Sequence, residues 1–319
     1  MAEFRIGTCS WADRSLLSSG WYPKGANNAA LRLRHYSLHF NCVEVNSTFY
    51  AIPAQREIYL WMARTPPDFL FSVKAFALLT LHALPIENLP RWLSGQVKNG
   101  KKLVTLYDLP RATRRKLLDA SLELITVLHS AGRLGYLLFQ LPPRIHFEDR
   151  WLLYLKRLRE LTLPLPIAVE VRHRSWLEEG ASERFLDFLR DENVAYVAVD
   201  EPELSWTVPP LWPLTASWGT VVRLHGRNVS GWRKAGASVE ERFSYLYTTE
   251  ELAQWKDQAL LAAQSVPRIF IMFNNCYRDC AVKNALQMKA MLGLAPWGET
   301  AVQAKLSPLD GGSSGSEDL

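Results

Sequence analysis

The chain is 319 residues long, 48% hydrophobic and 22% charged, with 18 prolines and 17 glycines. That balance excludes collagen-like, low-complexity and wholly disordered classes, and a chain of roughly 300 residues buries about three quarters of its unfolded surface. The 37 Lys and Arg against 32 Asp and Glu leave a formal charge of +5; spread thinly, this permits an anionic partner without demanding one.

Short apolar runs alternate with amphipathic stretches along most of the chain. Phe4–Cys9 reads as a strand, Leu31–His39 as a helix, Cys42–Ser47 as a strand, Gln55–Arg64 as a helix and Phe69–Ala75 as a strand. Pro85 to Pro110 reads as part of an elaborated loop at about 80–110, packed over one mouth of the fold. Ala112–Ser130 then predicts a helix, Tyr136–Leu141 a strand, Asp149–Glu160 a helix, Ile167–Arg172 a strand, Ser182–Asp191 a helix and Ala195–Asp200 a strand. Glu201–Thr220 carries several prolines and reads as irregular. Val221–His225, Thr249–Gln264 and Ile269–Asn274 complete the series as strand, helix and strand. Eight strand-like runs separated by crossovers predict an α/β fold, a closed (β/α)8 TIM-type barrel in a single domain over residues 1–307. A doubly wound open sheet is the alternative. The polar segment from Asp310 to Leu319 places a disordered tail at 308–319. Gly226-Arg-Asn-Val-Ser-Gly231 has two glycines and no helix start, so it is no dinucleotide fingerprint.

Alternation along a strand assigns its faces. In Ile167-Ala-Val-Glu-Val-Arg172 the branched row suits the helix-covered outside, which turns Glu170 and Arg172 inward. The same reading turns Glu44, Asn46, Ser72, Lys74, Gln140, Asp200, Arg223, His225 and Asn274 inward, each late in its strand, where barrel chemistry resides. Such a group is either a set of satisfied core ion pairs or a functional site. Burying an ion costs several kcal/mol unless partners repay it, so this many at one mouth favours a site.

Several blocks in this chain resemble the YecE-like family, the domain of unknown function numbered 72. They are Gly7-Thr-Cys-Ser-Trp11, Val43-Glu-Val-Asn-Ser-Thr-Phe-Tyr50, Phe71-Ser-Val-Lys-Ala75, Leu138-Phe-Gln-Leu-Pro-Pro143, Glu170-Val-Arg-His-Arg-Ser-Trp176, Val222-Arg-Leu-His-Gly226 and Phe273-Asn-Asn275 with Asn284-Ala285. The resemblance covers about residues 4 to 294 and implies a TIM barrel, but no established reaction. The chain departs from the family pattern at Cys9-Ser10, where relatives usually have Ser-Gly, and at Asp279, where a glycine is common; Cys276 and Cys280 are also unusual.

Glu44 and Glu170 are the candidate acid/base pair, since paired carboxylates in different environments can separate their pKa values. Arg172, Arg223 and Lys74 suit phosphate, sulfate or carboxylate, and an oxyanion is expected between Arg172 and Arg223. Replacing Arg223 with Gln is expected to weaken that binding and spare the fold. Trp11, Tyr50, His173 and Trp176 lie just past strand ends, where the aromatics can stack on a sugar or base. His173 and His225 with Glu44, Glu170 and Asp200 offer enough ligands for a divalent metal, but no metal-ligand spacing is present, so no cofactor is expected and metal binding is the minor reading. Cys9 with Cys276 and Cys280 is a remote three-cysteine site; buried free thiols are the ordinary case.

The function expected is that of a barrel enzyme of hydrolase or lyase type, with an anionic phosphate- or sugar-containing substrate. The alternatives are a non-catalytic nucleic-acid-binding protein and a glycoside hydrolase. Four cysteines, no basic-then-apolar N-terminal segment and no apolar run of about 18 residues predict a cytoplasmic protein without a membrane partner. The sequence assigns no oligomeric state.

Overall fold

The alternation in the sequence is realised as parallel β/α units in the computed structural model, which describes residues 2–97 and 100–294. The strands are β1 (Glu3–Thr8), β2 (Cys42–Val45), β3 (Leu70–Lys74), β4 (Leu134–Gln140), β5 (Ile167–Glu170), β6 (Ala195–Asp200), β7 (Thr220–Leu224) and β8 (Arg268–Phe273). Their hydrogen-bonded order is β1-β8-β7-β6-β5-β4-β3-β2. Around them lie α1 (Ala29–His39), α2 (Gln55–Ala63), α3 (Arg111–Ser130), α4 (Asp149–Thr162), α5 (Ala181–Asp191), α6 (Thr249–Ala262) and α7 (Cys280–Met291). The tail expected at 308–319, and the domain end at 307, lie outside the described residues.

The first strand lies beside the last: Glu3 to Thr8 register with Arg268 to Phe273. The barrel is nearly closed, with one seam, between β1 and β2, that carries no backbone ladder. Side chains bridge it instead. Asn41 accepts from the Ile6 amide at 3.1 Å and donates to the Phe4 carbonyl at 2.9 Å. Tyr36 Oη accepts from the Thr8 amide at 2.8 Å and donates to the Cys42 carbonyl at 3.2 Å. Asn46 Nδ2 donates to the Cys9 carbonyl at 2.9 Å. Buried backbone groups must find partners, and here side chains supply them. Gly7 permits the close approach: a Cβ there would stand 2.2 Å from the Cys42 carbonyl oxygen.

Burial explains the helices. α5 turns Phe185 and Leu189 to the sheet, and α3 buries Leu117, Leu118, Leu124, Ile125 and Leu128. Asn28 caps α1 through the Leu31 amide, and Thr248 with Glu251 forms a capping box on α6. The connection from Glu201 to the start of β7 contains no helix, as its prolines suggest.

Two features differ from expectation. The segment after Gly226 does start a short helix, Val229–Arg233, because the Asn228 side chain accepts from the Gly231 amide. A second short helix, Val239–Arg242, follows. The loop after β3 is partly ordered as a two-residue antiparallel pair, Leu84–Pro85 with Leu103–Val104. Tyr154 ties the loop down by donating to the Leu79 carbonyl at 2.7 Å.

Among the described residues no helix is long and apolar enough to cross a membrane.

Candidate active site

Register decides which late-strand residues share the barrel interior. Glu44 pairs with Ser72, Lys74 with Leu138, Gln140 with Glu170, and Arg223 with Val199 and Met272. These rows face one another across the barrel.

Arg223 is the hub of the charges. Its Nη2 donates to Glu44 at 2.7 Å and its Nη1 to Glu170 at 2.5 Å, with Gln140 Oε1 3.3 Å from Nη1. Tyr136 adds a hydrogen bond to the other Glu44 oxygen at 2.8 Å. Arg172 donates to Glu170 at 2.7 Å and stands 2.7 Å from Glu201 in an ion pair. Glu44, Glu170 and Arg223 are 0% exposed, so this is a solvent-excluded chain of alternating charge from the ends of four strands, β2, β5, β6 and β7.

Burial pushes the Glu170 carboxyl up, but Arg223, His225 and Arg172 outweigh it and hold Glu170 well below the usual carboxylate range. Burial works against the Arg223 charge, yet Glu170 and Glu44 outweigh it and hold Arg223 protonated. Glu201, largely desolvated and facing the carboxylates Glu170 and Asp200, is raised to about 7 despite Arg172 and the Val208 amide. Burial, then Arg172, lowers His225 to about 3. The ring is therefore neutral near pH 7; its Nε2 lies 2.9 Å from Arg172 Nη1 and 3.2 Å from Glu170 Oε1, and its Nδ1 lies 2.8 Å from Asn274 Nδ2. Trp232 covers Arg172 at 5.1 Å and Phe243 stands 5.9 Å from His225, both from the segment of the two short helices.

Lys74 differs from these groups. It is half-buried at the end of β3, and its Nζ lies 4.3 Å from the Phe49 ring centroid with no hydrogen bond or ion pair to the described residues. Burial, reinforced by Arg223, lowers it to about 8. His82 stands near it, edge-on to Phe49 at 4.8 Å, and is lowered to about 3 by burial and then by the charges of Lys74 and Arg144.

Several expectations are corrected. Asp200 does not face the barrel interior: it registers with Leu224, not Arg223, and points into the helix layer. There it accepts from Trp255 Nε1 at 2.5 Å and from Arg227 at 2.6 Å. Both rows of β6 are otherwise apolar, so a lone acid marked the wrong row as polar. Its neighbour Glu201 takes the inward place, one residue beyond the strand. Trp176 is no stacking platform: it is 0% exposed, donates to the Ile145 carbonyl at 2.8 Å and packs between Phe147 and Phe185. Tyr50 is 62% exposed and touches Phe49 edge-on. Trp11 is half-buried, edge-on to Trp61, and Asn46 serves the seam. His173 is half-buried and stacks on His146 at 3.6 Å. The place between Arg172 and Arg223, expected to hold an oxyanion, is filled by the Glu170 carboxylate.

Glu201, Tyr136 and His82 were missed. Tyr136 shares the parity of Gln140, a signal that was available; His82 sits in a loop where no period applies. The four cysteines are free, and Cys9 Sγ lies 3.7 Å from Arg223. Among the described residues no group of three or more His, Cys, Asp and Glu side chains is arranged to hold a metal ion.

The family model described as "Protein of unknown function DUF72" matches residues 5–306. UPF0759 protein YunF of Bacillus subtilis (strain 168) is 31% identical over 301 residues, covering 91% of this chain and 97% of that protein. UPF0759 protein YecE of Escherichia coli (strain K12) is 40% identical over 53 residues, 17% of this chain and 20% of its own. Among solved structures, a DUF72 family protein from Thermotoga maritima MSB8 superposes with a TM-score of 0.72 at 30% identity over 91% of this chain and 99% of that one. A DUF72 family protein from Enterococcus faecalis V583 gives 0.72 at 25% identity over 92% and 99%.

Proposed function

Since the chain belongs to the DUF72 family, whose description names no reaction, we propose a function from its own geometry: a barrel enzyme of hydrolase or lyase type whose mouth takes a small phosphate- or sugar-containing anion. One observation carries this reading. The arginines of the network, Arg172 and Arg223, are matched by buried carboxylates, whereas Lys74, half-buried at the C-terminal end of a barrel strand, has no acidic partner within ion-pair distance among the described residues. A desolvated, unmatched ammonium is unfavourable in the free protein and is relieved by a bound anion. Lys74 is therefore the substrate-facing cation, and Gln140 beside Arg223 and Asn274 beside His225 are proposed as neutral hydrogen-bonding groups for the substrate.

The paired carboxylates take a different part from the one their residue types suggest. Glu170, held ionised by two guanidinium groups, is a poor proton donor near neutral pH. Glu44 and Glu170 orient Arg223, and proton transfer falls to Lys74. A glycoside hydrolase needs one carboxyl to hold a proton, and in this network that carboxyl would be Glu201, raised to about 7, not Glu170. The nucleic-acid reading loses part of its support, since Arg115 pairs with Asp119 and Arg157 with Glu160 on the basic helix faces. We also read the fold as one domain and a TIM-type barrel, its β1–β2 seam closed by Asn41, Tyr36 and Asn46.

Calorimetric titration with inorganic phosphate and with sugar phosphates tests the proposal. Binding is expected in the parent and lost in Lys74→Met. Equal affinity in the two proteins, or binding confined to oligonucleotides with a steep salt dependence, would refute it.

A further inference from the structure

We propose that Lys74 is a covalent nucleophile, forming a Schiff base with a small aldehyde or ketone that carries an oxyanion. This rests on the reading that Lys74 faces the substrate, and it narrows that substrate to carbonyl compounds.

Four features of the site support it. Lys74 Nζ is not tied into the ion-pair network, so its lone pair is free once the proton is lost. The Phe49 face packs against the amine at 4.3 Å and shields that side of it from water, while the ring's negative face offsets part of the desolvation by attracting the charged form. The charged groups facing it are Arg223, Arg172, Glu170 and Glu44, with His82 on the loop side. The carboxylates among them are already engaged by guanidinium groups. A lysine desolvated against an apolar surface, or set beside another cation, is the arrangement that activates an amine as a nucleophile. Burial and Arg223 lower Lys74 to about 8, so near pH 8 about half of it is neutral, against roughly 0.4% of an ordinary lysine. Arg144, held on the Leu81 carbonyl near His82, is a further cation on the loop side and the group proposed to meet the oxyanion.

The step balances without a further reagent. The Nζ lone pair attacks the carbonyl carbon as the π pair moves to oxygen. A proton passes from nitrogen to that oxygen, giving a carbinolamine. Protonation of the hydroxyl by solvent lets water leave as the nitrogen lone pair forms the C=N bond. Amine, carbonyl and one proton from solvent thus become a protonated imine and water, with no net oxidation or reduction.

The experiment is borohydride trapping on the full chain at pH 8, with glycolaldehyde phosphate as anionic probe and glycolaldehyde as neutral probe, read by peptide mass mapping. The expected result is a reduced adduct on Lys74 at least about tenfold above any other lysine, within the roughly hundredfold advantage in neutral amine. The phosphate probe should label faster than the neutral one, and Lys74→Arg should lose the adduct while retaining the parent's circular dichroism. Labelling of Lys74 no greater than that of surface lysines overturns the proposal, and this holds whether or not a variant folds. If inorganic phosphate binds and Lys74→Met abolishes that binding, yet no Lys74 adduct forms, Lys74 is an anion anchor. The covalent proposal then fails while the anion-site reading stands. Absence of both phosphate binding and adduct removes both.

Discussion

Replacing Lys74 with Met should make the protein more stable at neutral pH, although it removes the residue assigned to the substrate. Met keeps the unbranched stem, so apolar packing against Phe49 is preserved, and what is lost is the unmatched charge with its cation–π contact to that ring. The Lys74 pKa falls from 10.5 in the unfolded chain to about 8 in the folded one. Each unit corresponds to about 1.4 kcal/mol, so the charged amine destabilises the fold by up to about 3 kcal/mol below pH 8. The sign follows from proton counts. Between pH 8 and 10.5 the unfolded chain binds a proton at Lys74 that the folded chain does not, so the parent gains stability as pH rises. Denaturant unfolding at pH 7, 8, 9 and 10 should show the variant ahead by about 1–3 kcal/mol at pH 7, with the gap closing as the parent's Lys74 deprotonates. A variant less stable than the parent at pH 7, or a gap that does not change with pH, would show that Lys74 is matched by a partner and refute the reasoning.

Arg223→Gln should cost about 3–5 kcal/mol, because it leaves Glu44 and Glu170 buried and unpaired; thermal unfolding checks this, and a stable variant would contradict the expectation drawn from the structure. Asn41→Ala should cost about 1–3 kcal/mol by orphaning the Ile6 amide and Phe4 carbonyl at the seam, with hydrogen exchange fastest at those β1 amides. Gly7→Ala should disrupt the same seam, since a Cβ there meets the Cys42 carbonyl, and a crystal structure with β1 unmoved would count against this. Stability should fall as pH drops below about 6.5, because His225 and His82, each lowered to about 3 in the fold, must stay neutral there, and Glu201, raised to about 7, offsets only part of that loss by taking up its proton in the fold. Glu170, held low, adds its loss below the ordinary carboxylate range. His225→Gln should flatten the slope between pH 6.5 and 4.5 in a chemical-denaturation series.

Much of this protein was legible along the chain. Strand and helix succession is set by local periodicity, so β6 was expected at Ala195–Asp200 and is found there, and α4 was expected from Asp149, where it begins. The inward places of Glu44, Glu170, Arg172 and Arg223 followed from a period of two and a branched outer row. α7 was not anticipated, because its apolar residues form a weak stripe. Parity, however, says which residues share a face, not which face is inside, and Asp200 fell on the wrong side for that reason. Trp176 and His82 lie beyond strand ends, where the period stops, and only packing against Phe185 or Phe49 locates them. Partner choice was equally hidden. Two arginines at one mouth suggest an anion site in the sequence, and the fold fills the space between them with Glu170. The sequence by itself determined the parallel barrel and the charged character of its mouth, since both arise from patterns within single strands. Which charges neutralise one another, and that Lys74 is left unmatched, was decided only by the tertiary structure, because ion pairing depends on distances between strands far apart in the chain.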